Sequence, residues 1–147
     1  MVSERHGTQN ASSYEHDAAG NVVAVTDPAG VRVERTYNEH SELTSEKANT
    51  GPAGAQAVKS YAYDNGLLAS VTDQLGNVTS YGYDDAGRLT ATTAPIAAPN
   101  VTQIVYNEAG EKVKVIDADG RVRSFTYDLR GRPATTSDAR GTTSYHY

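Results

Sequence analysis

The chain has 147 residues, ten tyrosines, one phenylalanine, no tryptophan, no cysteine and a formal net charge of −5. The acidic balance makes a nucleic-acid backbone an unfavourable partner. The missing cysteines exclude a disulfide framework and a thiolate metal site, and no apolar run approaches the roughly 20 residues of a membrane-spanning helix.

Apolar residues are 37% of the total, too few for a thick core, and the length fits one domain. Residues 1–13 are polar and lack the apolar stretch of a secretory signal. They are expected to be a flexible lead-in, with any export address on a larger parent.

From Tyr14 onward the chain repeats itself. Tyr61-Ala62-Tyr63-Asp64-Asn65-Gly66, Tyr81-Gly82-Tyr83-Asp84-Asp85-Ala86-Gly87-Arg88-Leu89 and Phe125-Thr126-Tyr127-Asp128-Leu129-Arg130-Gly131-Arg132 are copies of one pattern. The turn glycine falls at Gly20, Gly66, Gly87, Gly110 and Gly131, with Ser41 standing in once, at spacings of 21, 25, 21, 23 and 21. Seven residues later comes Asp27, Asp73, Asp117 or Asp138, and three further on Gly30, Gly76, Gly120 or Gly141. Each unit therefore carries two Asp-x-x-Gly turns. Aspartate at the first turn position accepts backbone amides through its carboxylate, and glycine at the fourth accepts positive φ.

Between the turns lie short segments such as Val22–Thr26, Val31–Tyr37 and Asn77–Tyr81, rich in Val, Thr and Tyr, which suit a pleated strand. One unit reads as one β-hairpin, so residues 14–147 are expected to form about six tandem hairpins. No segment holds a helical period between its glycines. The extra residues of the longer spacings sit at 49–57 and 93–100. They are expected to be long loops, recurring every second unit at the same sheet edge. Alternation puts the two members of each aromatic pair on one face: Tyr61 with Tyr63, Tyr81 with Tyr83, Phe125 with Tyr127, Tyr145 with Tyr147. Stacked units would align them in a ladder over a thin, more polar opposite face.

The pattern Tyr-x-Tyr-Asp-x-x-Gly-Arg-Leu, complete at 81–89, followed by Thr-Asp-x-x-Gly, as at 72–76, resembles the YD repeat of the rearrangement-hotspot (Rhs) proteins. The resemblance covers about Tyr14 to Tyr147. Copies two and five depart from it: Asn38 and Asn107 replace the aspartate, Ser41 replaces the glycine, and Lys112 stands where leucine is usual. These departures read as tolerated drift. The resemblance implies a long β-sheet that spirals into a hollow shell. Such shells enclose a C-terminal toxin in bacterial Rhs proteins and insecticidal toxin complexes. Relatives include wall-associated proteins and the teneurin adhesion receptors. Those shells use many more repeats, and this chain stops inside a unit. It is therefore expected to be an open, curved segment of such a wall, all-β, secreted or at the cell surface as part of a larger bacterial protein. Its expected partners are neighbouring repeats, a toxin domain enclosed by the parent, and other copies that meet at unpaired sheet edges.

The residues that could carry site chemistry are also the residues that build the turns. Asp84 with Asp85, and Asp117 with Asp119, suggest a carboxylate pair or the start of a calcium loop, but calcium takes six to eight oxygens. Turn capping by Asp27, Asp73, Asp84, Asp117 and Asp128, each with its glycine (Gly30, Gly76, Gly87, Gly120, Gly131), is the favoured account. Asp27-Pro28-Ala29-Gly30 resembles an aspartate-dependent self-cleavage element of the family, yet it occupies an ordinary second-turn position. His6, His16, His40 and His146 have no metal spacing, and no nucleophile elbow is present. No catalytic site, metal or cofactor is expected. Arg88, Arg121, Arg123, Arg130 and Arg132 read as a solvated face or as partners of turn aspartates. The aromatic face of Tyr61, Tyr63, Tyr81, Tyr83, Phe125 and Tyr127 is the candidate ligand surface. The alternative function it offers is carbohydrate or cell-surface binding, set against simple cross-strand packing.

Overall fold

The computed structural model describes residues 11–49, 56–95 and 101–147. Among them are thirteen strands and no helix. They are β1 (Ser13–His16), β2 (Val22–Thr26), β3 (Arg32–Tyr37), β4 (Leu43–Asn49), β5 (Gln56–Asp64), β6 (Leu67–Thr72) and β7 (Val78–Tyr83). They continue with β8 (Leu89–Thr93), β9 (Val101–Tyr106), β10 (Lys112–Ile116), β11 (Val122–Tyr127), β12 (Pro133–Asp138) and β13 (Gly141–Ser144). All belong to one open sheet whose spatial order is the sequence order, β1 to β13. Short strands joined by tight turns pair with their chain neighbours, so no crossover is needed.

Backbone contacts divide the chain into two units. The first ends at Ala62 and takes in Thr72–Gly76; the second comprises Tyr63–Val71 and Asn77–Tyr147. In the first, β1 to β4 each pair antiparallel with the next strand. In the second, β7 to β12 do the same.

Three residues of the expected long loop at 49–57, Asn49, Gln56 and Ala57, are strand. Ala48 pairs with Ala57 and Asn49 with Gln56, so β4 and β5 run on past the point where the second turn of other units would fall. Each added pair extends the ladder and satisfies further backbone groups. Residue 50, residues 51–55 and residues 96–100, which hold the rest of both expected loops, lie outside the described residues, as do 1–10 of the lead-in.

A bulge follows the first turn of each unit whose register is known. Gly82 faces Ala91 and Tyr83 faces Leu89, which leaves Thr90 extra. Thr44, Val113, Ala134 and Val23 are the extra residues in the equivalent places. The second turns at Asp27 and Asp117 close with the same bonds and left-handed glycines yet show no register shift, so the bulge distinguishes the first turns, where it adds twist.

The sheet has little interior. Among the described residues only Ala24 (2% exposed) and Val115 (8%) are buried. A single sheet layer covers each side chain only with its lateral neighbours. Stability must therefore come from the ladders, the turns and cross-strand pairs rather than from a packed core.

Candidate functional site

The turns are the most elaborate local structures of the chain. At Asp84 the backbone N–H donates to the Arg88 carbonyl (3.0 Å), while Gly87 N–H donates to the Asp84 carbonyl (2.9 Å). The same pair of bonds recurs at Asp17, Asp27, Asn38, Asn107, Asp117 and Asp128. The side chain completes the turn: Asp84 Oδ1 accepts from Ala86 N (3.0 Å) and Arg88 N (2.9 Å). Asp27 and Asp128 bind the second and fourth amides after them in the same way. Asp73 accepts from Leu75 N at 2.8 Å. Asp117 instead turns its carboxylate to Arg123 Nη2 at 3.1 Å. Gly30, Gly76, Gly87, Gly120 and Gly131 all have φ between 73° and 84°.

Two turns depart from the four-residue reading. Asn65 (φ 50°) and Gly66 (φ 77°) are both left-handed. They form a two-residue hairpin turn of the primed type, for which Asn-Gly is the favoured pair. Asp138 pairs directly with Gly141, so Ala139 and Arg140 alone make that turn. The Asp-Pro-Ala-Gly element at 27–30 forms an ordinary capped turn, with both carboxylate bonds aimed at Ala29 and Val31 amides.

The second carboxylate oxygen of a turn aspartate meets the residue four positions on. Asp84 Oδ2 accepts from Arg88 Nε at 2.7 Å, and Asp128 Oδ2 from Arg132 Nε at 2.8 Å. Asp17 Oδ2 accepts from Asn21 Nδ2 at 2.9 Å. Asn38 and Asn107 reverse the sense. Each keeps Oδ1 on the turn amides and donates Nδ2 to a glutamate, Glu42 at 2.6 Å and Glu111 at 2.8 Å. The two asparagines expected to be drift are thus halves of matched pairs. A carboxylate at 38 or 107 would meet another carboxylate.

These bonds move the acids' titration. Backbone N–H of Arg88, then its guanidinium, holds Asp84 below the ordinary carboxylate value. Arg132 does the same to Asp128, again through its amide first. Asn21, through its side-chain amide and then its backbone, lowers Asp17. Outside the turns Glu15 is lowered by hydrogen bonds from Arg32, whose own proton is held more tightly by Glu15 and then Glu34.

The aromatic pairs divide into two roles. Before four of the first turns the tyrosine sends its hydroxyl back to the preceding repeat: Tyr37 to the Val22 carbonyl (3.0 Å), Tyr83 to Leu68 (3.0 Å), Tyr106 to Leu89 (3.1 Å) and Tyr127 to Lys112 (2.9 Å). Each acceptor lies two residues past the earlier turn glycine. The β8–β9 ladder begins only at Ala91, and the β10–β11 ladder at Lys114, so Leu89 and Lys112, each paired with the strand before it, lie beyond the pairing with the strand after it. The phenol supplies the partner that the backbone cannot. Since the acceptor is a carbonyl, leucine and lysine serve equally at that position, which accounts for Lys112.

The arginine after the turn glycine closes the relay. The Arg88 guanidinium lies 4.8 Å from the Tyr106 ring centre, and that of Arg132 4.3 Å from Tyr147. Asp84, Arg88 and Tyr106 are so linked from one repeat to the next, as are Asp128, Arg132 and Tyr147. Tyr61, Tyr63, Tyr81, Tyr83, Phe125 and Tyr127 are all half-buried, with exposed Ala62, Ser80 and Thr126 on the alternate positions. Sequence reasoning missed the arginine's stacking role, although the Arg after glycine at 88 and 132 was its signal.

Of the other arginines, Arg121 meets Asp119 and Arg123 meets Asp117, both at 3.1 Å. Both pairs are largely exposed and contribute little to stability. A recess lined by Asp64, Asn65, Leu67, Tyr81, Tyr83, Asp84 and Asp85 lies beside the short Asn-Gly turn. Among the described residues no cluster of three acidic or histidine side chains is arranged to hold a metal.

The fold and this relay define a tandem hairpin-repeat protein. The family model of the RHS Repeat matches residues 16–55, 63–95 and 106–143, and the chain belongs to that family. It is 33% identical over 72 residues to the probable deoxyribonuclease RhsB of Dickeya dadantii (strain 3937), a match spanning 48% of this chain and 5% of that protein. Among solved structures it resembles TcdB2-TccC3-TEV, with a TM-score of 0.68 and 14% identity, covering 93% of this chain and 8% of that one. TcdB2-TccC3 without its hypervariable C-terminal region gives a TM-score of 0.53 at 14% identity, covering 92% and 11%. The chain therefore spans about a tenth or less of the length of these relatives.

Proposed function

We propose that this chain is a non-catalytic stretch of sheet wall from a larger Rhs-type protein, in the kind of shell that encapsulates a toxin. The observation that supports it is the relay. Its side-chain bonds run from one repeat to the next, so the turn aspartates, glycines, tyrosines and arginines are accounted for by building the wall. In this reading residues 14–147 act as one run of repeats, and Asp27, Asp73, Asp84, Asp117 and Asp128 with their glycines are structural. The protein would be secreted or displayed at the cell surface with its parent, and its partners would be the adjoining repeats and the enclosed segment. The probable deoxyribonuclease activity in the relative's name would belong to a part of that protein beyond the stretch matched here.

The alternative, a glycan-binding aromatic face, draws less support. The hydroxyls of Tyr83 and Tyr127 are already given to carbonyls of the chain, which leaves a sugar the ring edges and the second aromatic of each pair.

Limited proteolysis of the full-length protein that carries this stretch tests the wall reading. The segment downstream of the repeats should resist protease in the native protein and become sensitive when Tyr83, Tyr106 and Tyr127 are changed together to alanine. Equal sensitivity in both would contradict it. Glycan-array binding lost on changing Tyr61 and Tyr81 to alanine would favour the alternative. Self-cleavage would appear as a species lighter than 15.6 kDa by intact mass.

A further inference from the structure

One first turn lacks a part that two others have. At Asp84 and Asp128 the residue after the turn glycine is arginine, and its guanidinium makes two contacts. It donates to the turn aspartate at 2.7 and 2.8 Å, and it lies against a tyrosine of the next repeat, Arg88 on Tyr106 and Arg132 on Tyr147. One repeat before Asp84 the matching residues are Asp64, Leu67 and Tyr83. Leucine donates nothing. Among the described residues the Asp64 carboxylate accepts only from Asn65 Nδ2, at 3.1 Å. The other first turns are matched within themselves, Asp17 by Asn21, Asn38 by Glu42 and Asn107 by Glu111.

Leu67 takes the path of an arginine stem and stops short of a charged head. Both kinds of arm run to the glycine of the following turn. A Cβ on Gly87 would lie 3.8 Å from Leu67 Cδ1, and one on Gly110 3.3 Å from Arg88 Nη1. What remains beside Leu67 is a recess of about 610 Å³, bounded by Asp64, Tyr81 and Tyr83. Exposed Asp85 adds a second carboxylate at its rim, while Asp84 is already compensated by Arg88. Gly82 also lines it. A Cβ there would sit 3.4 Å from that of Ala91, an ordinary contact, and its φ is not left-handed, so the strand itself does not require glycine. A glycine inside a strand marks a place where another group approaches closely.

We propose that this recess docks an arginine side chain of a partner polypeptide, whose guanidinium takes the place that the chain fills for itself with Arg88 and Arg132. Asp64 accepts its N–H groups, the half-buried Tyr83 ring offers a face for the cation, and Leu67 lies along its stem. The negative charge of Asp64 and Asp85 complements the guest. Arginine fits better than lysine, because a planar fork bonds a carboxylate and stacks on a ring at once, whereas an ammonium is a strongly hydrated point charge. The inference rests on the relay geometry between residues 64 and 88 and is independent of what a wall encloses.

Titration of the native chain with tri-arginine amide, followed through the Tyr83 ring resonances by NMR, tests the assignment, with tri-lysine amide as the comparison. Tri-arginine should give a saturable shift and tri-lysine a clearly weaker one. Asp64→Asn should weaken tri-arginine binding about tenfold, the loss of a charged acceptor. Leu67→Arg should fill the recess from within. It should abolish the response and move the Tyr83 resonances of the free chain, with unchanged circular dichroism. Where Asp64→Asn disturbs the fold, Leu67→Arg decides alone. The absence of a saturable shift, an equal response to the two peptides, or a response that survives Leu67→Arg overturns the proposal. None of these results bears on protease protection of a downstream segment, so the wall reading fails or stands separately.

Discussion

Asn107 donates its amide to the Glu111 carboxylate at 2.8 Å, the reverse of the bond that Asp84, one repeat earlier, accepts from Arg88 at 2.7 Å. In both turns Oδ1 takes a backbone amide, so the choice between Asp and Asn is decided by the residue four positions later. Changing Asn107 to Asp alone should place two carboxylates together and cost about 1 kcal/mol, whereas adding Glu111→Arg should recover most of it. Urea denaturation of the two single variants and the double variant measures the coupling. Additive effects would show that the pairing carries no energy.

Tyr106 offers a cleaner separation of hydroxyl from ring. Tyr106→Phe removes the bond to the Leu89 carbonyl (3.1 Å) but keeps the ring under Arg88. The expected loss is about 0.5–1.5 kcal/mol for one hydrogen bond with its acceptor left unmade. Tyr106→Ala should lose clearly more, because ring and cation contact go together. Denaturation midpoints that match between the two variants would place all the energy in the hydroxyl.

Ser41 sits where the other first turns have glycine, at φ 60°, a conformation that strains a residue with a Cβ. Its compensation is one exposed bond from Asn21 Nδ2 to Ser41 Oγ at 3.2 Å. Ser41→Gly should therefore raise stability by about 0.5–1 kcal/mol, the strain relieved exceeding a long surface bond and the added unfolded-state entropy. A thermal melt that moves downward would show that the Asn21 contact dominates.

Acid should weaken the turns in a defined direction. Asp17, Asp84 and Asp128 titrate below the ordinary value of 3.8 in the folded chain. A lowered acid contributes stability above its unfolded pKa and loses it as pH falls through the folded value. Stability should thus be level above about pH 5 and fall as the pH drops below 4. Asp84→Asn with Asp128→Asn should flatten that fall. An unchanged acid limb in the double variant would assign it to other carboxylates.

The repeat register, the β-hairpin unit and the turn chemistry were legible because they live in residue type and spacing. Asp and Gly at fixed offsets, and Tyr two apart, report local backbone requirements. The tyrosine relay was hidden because it depends on contacts 15 to 17 residues apart. Nothing in the spacing of Tyr106 says that its hydroxyl finds Leu89, since the acceptor is a carbonyl and any side chain can carry it. The Asn107–Glu111 exchange is visible in sequence, yet it reads as drift until geometry shows which oxygen faces which group. Asp64-Asn65-Gly66 was aligned by its glycine with the longer turns, although Asn-Gly favours the tighter one.

The claim on which the rest depends is that successive hairpins are locked to one another by the tyrosine relay. Residue-resolved hydrogen exchange on the native chain and on Tyr127→Phe tests it most directly. The account predicts that deleting the bond to the Lys112 carbonyl (2.9 Å) speeds exchange across β10 to β12, on both sides of the second turn. Faster exchange confined to Tyr127 and its immediate neighbours would contradict it.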